Sequence, residues 1–319
     1  MTIQDDSLRP EEFAEAAAAA IADAQGREVR EAAGVLAQAG LLGVCAAEDD
    51  GGLGLGIAFA LPIVQTAGRL QLRFPLVEQV LLAKALAGTP EAAAIVAGEK
   101  LASIAWRGSL ADGVATDAGY ADQADWALVG DGEGAALIEM ASVERQADTA
   151  LDPEHPVYWL ELDAARVLAR LSAEAWAGLQ EDARLLLAGS VHGAAEGALE
   201  RTATYMATRV QFGRPLSAKQ AVRHWLARMR LQQEASGAAI RRVLATDEFG
   251  QARAAATALA SAIESAAFIL EKAIHLHGGM GFTWEMPLHW SLRDIRKVDA
   301  AFGSGALAQD IGRAFIAAA

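Results

Sequence analysis

The stretch from Ser172 to Thr208 limits the fold more than any other. Within it Trp176, Leu179, Ala183, Leu186, Leu187 and Val191 recur at steps of three and four residues. That spacing places them on one face of an α-helix, and so long an apolar stripe finds cover only against other helices, which predicts a bundle. Stretches 216–247 and 250–276 share the period, and shorter helices are expected after Pro287 and after Gly305. Upstream, helices are expected at 10–25, 28–40, 56–70 and 75–87. The first opens on Pro10, Glu11 and Glu12, a proline and two acids that suit a first turn and its dipole. The run from Glu48 to Gly56, EDDGGLGLG, holds too many glycines for regular structure and reads as a loop.

Between about Leu101 and Arg170 the character changes. ASIAW, DWALVG, AALIEM, ASVER and VYWLELD are short apolar or alternating runs separated by Gly, Asp and Pro, the pattern of strands in a small sheet. The expected architecture is therefore mainly α: an N-terminal helical domain (1–99), a small middle β domain (100–171) and a C-terminal four-helix-type bundle (172–319). No repeat of solenoid length is visible.

Composition narrows the partners. Of 319 residues, 53% are hydrophobic, enough to bury a core. Against 41 Asp and Glu stand 27 Lys and Arg, a formal charge of -14 that removes the counterion-release drive for nucleic-acid binding. An anionic ligand must then be held by a local group of arginines and backbone N–H donors working against the overall field. One cysteine, Cys45, precludes an intrachain disulfide and a multi-cysteine zinc site, and a reducing cytoplasm is the simplest setting. Flanked by Val44, Ala46 and Ala47, it reads as a small core residue. The start MTIQDDSLRPEEF is acidic and unlike a signal peptide. The run Gly34 to Ala47 falls short of the roughly 20 apolar residues a membrane helix needs, so no membrane partner is expected.

Three motifs carry chemistry. Thr208 to Met229, TRVQFGRPLSAKQAVRHWLARM, reads as a helix ending near Arg209, a turn at Phe212-Gly213-Arg214-Pro215, and a second helix capped by Ser217. Ala273 to Asp294 reads AIHLHGGMGFTWEMPLHWSLRD, and Gly40 to Gly54 reads GLLGVCAAEDDGGLG. An Arg fork at 209 and backbone N–H groups freed at the Gly278-Gly279 turn are what a pyrophosphate requires. The plainer reading of the same residues is an arginine at a helix C-terminus and two glycines that turn the chain.

In these three stretches the chain resembles the acyl-CoA dehydrogenase family, with its Arg-x-x-Phe-Gly-x-Pro, later Gln and Leu-Ala-x-Met helix, its Gly-Gly-x-Gly-Phe turn followed by Leu-Arg-Asp, and its N-terminal Gly-Gly-x-Gly. The resemblance implies that Arg209, Gln211, Phe212, Gln220, Gly278 and Gly279 touch the adenine half of an FAD held mainly by a neighbouring subunit. His275 stands where most members place a flavin-contacting Gln. It also implies α,β-dehydrogenation of an acyl-CoA thioester: a carboxylate removes the α proton while hydride leaves the β carbon for the flavin.

Departures from the family pattern are as informative. One usual position of the base, several residues beyond Arg293-Asp294, holds Phe302; the other, on the first bundle helix, holds Ala183. Glu181 and Asp182 lie next door, though neighbours on a helix point in different directions. Around Ser103 to Gly108 the chain lacks the segment with which active relatives cradle the flavin ring, and its middle domain is reduced. Trp106 reads as core or, alternatively, as a stacking platform. Keeping the adenine side while lacking ring side and base implies a sister chain: an α2β2 heterotetramer in which this chain completes the FAD site of a catalytic partner, acting on bulky acyl-CoA thioesters such as steroid side chains. Alternatives are a self-sufficient dehydrogenase using Asp182 or Glu181, and a flavin-free helical scaffold. Glu285 reads as structural. His224 reads as packed or exposed, and His275, His277 and His289 lack the acidic spacing that would complete a metal site. Arg293, Arg296 and Lys297 are expected to pair with Asp294 and Asp299, or to attract CoA phosphates.

Overall fold

A computed structural model describes residues 8–245 and 254–317. The N-terminal helices are α1 (Phe13–Ala24), α2 (Val29–Gln38), α3 (Ile57–Leu70), α4 (Leu76–Ala85) and α5 (Pro90–Val96). Four match expectation to within a few residues. The fifth was not anticipated, although its start is written in Thr89-Pro90-Glu91: Thr89 Oγ1 accepts from Ala92 N at 3.2 Å, capping the turn.

Seven strands follow: β1 (Ala102–Ser109), β2 (Val114–Gly119), β3 (Trp126–Asp131), β4 (Gly134–Glu139), β5 (Glu144–Asp148), β6 (Val157–Glu161) and β7 (Arg166–Leu171). They form one sheet in the order β5-β6-β2-β1-β3-β4-β7, in which only β1 and β3 run parallel. The expected strand over ASVER is displaced: Met140–Ser142 form a 3-10 turn and β5 begins at Glu144. In β3 and β4 alternate residues face opposite ways. Leu128 and Leu137 join the main helical core, whereas Val129 and Ile138 join a smaller core on the far face. Burial on both faces explains why these runs read as continuously apolar.

The bundle comprises α6 (Ala173–Thr208), α7 (Gln220–Leu244), α8 (Ala255–His277), α9 (Leu288–Phe302) and α10 (Ser304–Ala317). Ser172 Oγ caps α6, which then runs for about 54 Å at the usual rise. The segment joining α7 to α8 lies outside the described residues, so the expected ends at 247 and 250 are not addressed. Ser217 does not cap α7. Leu216–Ala218 make a 3-10 turn, α7 begins three residues later at Gln220, and Ser217 instead offers its carbonyl to Arg223 Nε at 2.9 Å. No helix among the described residues is long and apolar enough to cross a membrane.

The N-terminal helices meet the bundle chiefly where α3 crosses α6, and glycine sets the distance. A Cβ on Gly193 would lie 1.9 Å from the Gln65 carbonyl oxygen, and one on Gly197 would lie 2.3 Å from that of Arg69. From the opposite side, a Cβ on Gly68 would lie 2.1 Å from the Ser190 carbonyl oxygen. Backbone thus packs on backbone along a full turn of both helices.

Candidate functional site

Phe302 ends α9, and its ring packs on Trp106 of β1 with centroids 5.0 Å apart. The pair lines a cleft of about 220 Å³ between α4, the sheet and α9, to which Glu78, Tyr120, His155 and Leu187 also contribute. Two cleft residues, Asp117 and Tyr120, adopt left-handed backbone with φ of 60° and 56°, a conformation that costs energy in non-glycine residues and gathers at functional sites. Trp106 is therefore both packed and a wall of the cleft.

A charged network forms one side of this space. Arg73 Nη1 donates to both carboxylate oxygens of Asp294, at 2.9 and 3.2 Å. Lys297 Nζ donates to Asp152 Oδ2 and to the His155 carbonyl, each at 2.7 Å, and reaches Asp294 at 3.2 Å. Burial alone would push the Asp152 carboxyl up, but the bond and charge of Lys297, with the His155 amide, hold it below the ordinary carboxylate range. Burial, aided by the charge of Arg73, pushes His155 down, so its ring is neutral near neutrality. The expected pairs of the basic run are present, Lys297 with Asp294 and Arg296 with Asp299 at 3.5 Å, yet shorter contacts to Asp152 and Glu271 accompany them. Arg293 stacks over Trp284 instead, 4.8 Å from the ring centroid.

The other acids differ in their freedom. Asp182 is ion-paired with Lys84 of α4, and Glu181 pairs with Arg184 and accepts from Ala255 N at 3.3 Å. Neither lines the cleft, and Ala183 between them is fully buried. Glu78 does line it, makes no side-chain hydrogen bond among the described residues, and has its carboxyl pushed up by burial. The sequence reading passed over it, although an acid inside Leu76-Val77-Glu78-Gln79-Val80 is conspicuous. Glu285 is exposed. Burial pushes the Cys45 thiol up to about 11, which makes it an inert core group.

At the far end of α6 the second candidate set is assembled. Val210–Gln211 and Arg214–Pro215 form a hairpin, β8 and β9, whose two turn residues Phe212 and Gly213 have φ of 54° and 75°. Both angles are those of the tight two-residue turn that fits strand twist. Arg209 occupies the C-cap of α6, its N–H donating to the Tyr205 carbonyl at 2.9 Å. Its guanidinium is exposed and has no ion pair among the described residues, so the capping position leaves the side chain free. Tyr205 of α6 stacks on His277 at 4.5 Å, which brings the end of α6 beside the end of α8 and its Gly278-Gly279 turn. Gln211, Phe212, Gln220, His275, Gly278 and Gly279 are all exposed there, Phe212 to 89%. Next to them Arg201 Nε and Nη2 and His277 Nε2 are buried without partners, two residues the sequence reading did not single out for ligand contact. No group of three or more His, Cys, Asp or Glu among the described residues is arranged to hold a metal ion.

Comparison with known proteins gives a consistent result. The family described as "Acyl-CoA dehydrogenase, C-terminal domain" matches residues 178–316. Acyl-CoA dehydrogenase IpdE2 of Mycobacterium tuberculosis is 31% identical over 260 residues, covering 79% of this chain and 76% of that protein. FadE27 of the same organism is 29% identical over 312 residues, covering 84% and 83%. Among solved structures, a variant of the Tcur3481–Tcur3483 steroid ACAD superposes with a TM-score of 0.84 at 25% identity, over 97% of this chain and 99% of that one. The ChsE4–ChsE5 complex of M. tuberculosis superposes with a TM-score of 0.81 at 25% identity, over 99% and 98%.

Proposed function

Since the chain belongs to the acyl-CoA dehydrogenase family, we propose that it is the subunit of a heteromeric, FAD-dependent acyl-CoA dehydrogenase that carries no catalytic base of its own and completes the FAD site of a catalytic sister chain. The observation that carries this reading is an asymmetry: Phe302, at a position where the family pattern has a carboxylate, packs on Trp106, while Arg209 is exposed and has no ion pair among the described residues. The cleft, at about 220 Å³, is small beside the roughly 300–1,000 Å³ of ligand pockets, which supports this reading. The exposed end of the bundle does fit the pyrophosphate and adenine of a dinucleotide presented from outside. Two of the similar structures, Tcur3481–Tcur3483 and ChsE4–ChsE5, are themselves two-protein assemblies, and one is a steroid ACAD. That likeness supports our extending the proposal to an α2β2 assembly acting on bulky, steroid-type acyl-CoA thioesters, in the cytoplasm.

In this assembly Arg209 would supply the guanidinium fork for the pyrophosphate, Gly278 and Gly279 backbone N–H groups, Gln211, Gln220 and His275 hydrogen bonds at the adenine end, and Phe212 a ring face. A flavin held there would supply the acceptor for hydride from the substrate β carbon. This chain's share is to bind and orient, and the α proton goes to a carboxylate of the sister.

Purification of the chain alone and with a candidate sister separates the readings. Flavin absorbance is expected only in the mixed complex, and Arg209→Ala is expected to weaken flavin retention there by about 10–100-fold, the worth of hydrogen bonds to a charged group. Stoichiometric flavin and turnover from the lone chain would overturn the proposal. That outcome would favour a self-sufficient enzyme with Glu78 as base, since Glu78 is a half-buried acid of the cleft with no ion pair among the described residues, whereas Asp182 and Glu181 are engaged elsewhere. Its discriminating variant is Glu78→Gln, which abolishes turnover in that case and leaves the mixed complex active in the other.

A further inference from the structure

One side of α7 is buried in the bundle through Met229, Gln233, Ser236, Gly237 and Ile240. Another side has a period of its own. His224, Arg228, Leu231, Ala235, Ala238 and Arg242 follow one another at steps of four and three residues, and all six are exposed, Leu231 to 67%. Alternating steps of three and four set side chains along one narrow seam, the seam by which a helix packs lengthwise on another. An exposed leucine, two alanines that permit close approach, and arginines are the composition of a surface that another chain covers.

Charge decides which chain that is. Between Gln220 and Leu244 five arginines stand against one acid, Glu234, in a chain whose 27 Lys and Arg are outnumbered by 41 Asp and Glu. All five are exposed, and of them only Arg230 has an ion pair among the described residues, with Glu234. The cations crowd near the head of the seam: Arg228 and, from α8, Lys272 both lie over the Trp225 ring, 5.1 and 4.4 Å from its centroid, and neither has an ion pair among the described residues. Two positive charges sharing one ring repel each other and favour an anion laid across both. A second copy of α7 does not bring one. Packing the seam on itself about a two-fold axis would gather twice five arginines against twice one acid, and like charges across an interface reject the wrong partner. The seam begins four residues beyond Gln220, which is itself offered to a shared flavin, so a chain presenting that flavin lies within reach of it.

We infer that the exposed seam of α7 docks on an acidic helix of the catalytic sister, with a carboxylate of that helix seated on Arg228 and Lys272 over Trp225. This rests on the sister-chain reading and adds the surface, its chemistry and the reason the assembly pairs unlike chains: a basic seam selects against its own copy.

The test uses the full chain co-expressed with the candidate sister, with assembly followed by mass and sedimentation rather than by flavin. Association is expected to slow about tenfold between about 0.05 and 0.5 M salt. Arg228→Glu and Leu231→Arg are each expected to weaken the complex about 30-fold or more, the scale of an interface hot spot, whereas Arg166→Glu, the same charge change on β7, stays within about threefold. Both seam positions are exposed, so the variants keep the fold. A readout without variants is carbodiimide coupling, which should join Lys272 to an Asp or Glu of the sister. A complex indifferent to salt and to both substitutions, coupling of Lys272 only within its own chain, or a lone chain that self-associates and is released by Leu231→Arg, each overturns the inference. A flavin-loaded complex that ignores the seam defeats this inference alone, a complex that needs the seam but holds no flavin defeats the shared-cofactor reading alone, and the absence of any complex defeats both.

Discussion

Gly193→Ala is expected to destabilise the protein by about 3 kcal/mol, while Gly178→Ala on the same helix is expected to stabilise it by about 0.5–1 kcal/mol. The chemistry of the two substitutions is identical, and only the surroundings differ. A Cβ at position 193 would meet the Gln65 carbonyl oxygen at 1.9 Å, and main chain cannot swing aside as a flexible side chain does. At position 178 nothing lies within 4 Å, so alanine gains its helix propensity without a clash. Denaturant midpoints at constant m report both changes. A loss at 193 no larger than the change at 178 would mean that α3 and α6 do not approach as described.

Lys297→Met should cost about 3–5 kcal/mol at neutral pH, because it strands the carboxylate of Asp152, a side chain with 0% exposure, against which Lys297 lies at 2.7 Å. Its pH dependence is the sharper test. In the parent protein the Asp152 carboxyl lies below its unfolded value, so its stabilisation is complete above that value and is lost as pH falls through the folded one. Without Lys297, burial, the largest influence on this carboxyl, is opposed only by the His155 amide and the charge of Arg73, and the carboxyl moves up. The folded variant then binds the proton more readily than the unfolded chain, and its stability rises as pH falls. The deficit between variant and parent should accordingly narrow on acidification from pH 7 toward 4. A deficit that stays constant over that range would show that Asp152 is not held by this pair.

How much of this was legible in the sequence depended on whether the controlling interaction was local. Helical period gave α1 to α4 and the long bundle helices, since the stripe that packs is the stripe that repeats. β2 escaped notice because its sequence, VATDAG, has neither bulk nor clean alternation; it is a strand because β1 and β6 pair with both its edges, and Asp117 within it turns left-handed. β7 lies at the sheet edge with most of its residues half-buried or exposed, which blurs the apolar pattern. Ser217 has the chemistry of a cap, but Arg223 uses its carbonyl and the helix waits until Gln220.

The exposed end of the bundle was readable because a hairpin turn and a glycine pair dictate residue types within a few positions. The cleft was not. Glu78, Tyr120, His155 and Phe302 come from four distant segments, and the meaning of each arises from a neighbour far along the chain. The unpaired atoms of Arg73 and Trp290 are likewise invisible until 216 intervening residues have folded.

The meshing of α3 with α6 has a mechanical consequence. Main chain wedged on main chain cannot slide or hinge without breaking its fit, so the cleft has an unyielding back wall that includes Leu187 and the start of α4. The front of the cleft is built instead from the end of β2 and the segment 154–158. Ligand exchange should then track the loosening of the sheet rather than that of the helices, and hydrogen exchange at Tyr120 and His155 should quicken or slow with occupancy while the amides around Gly193 hold steady.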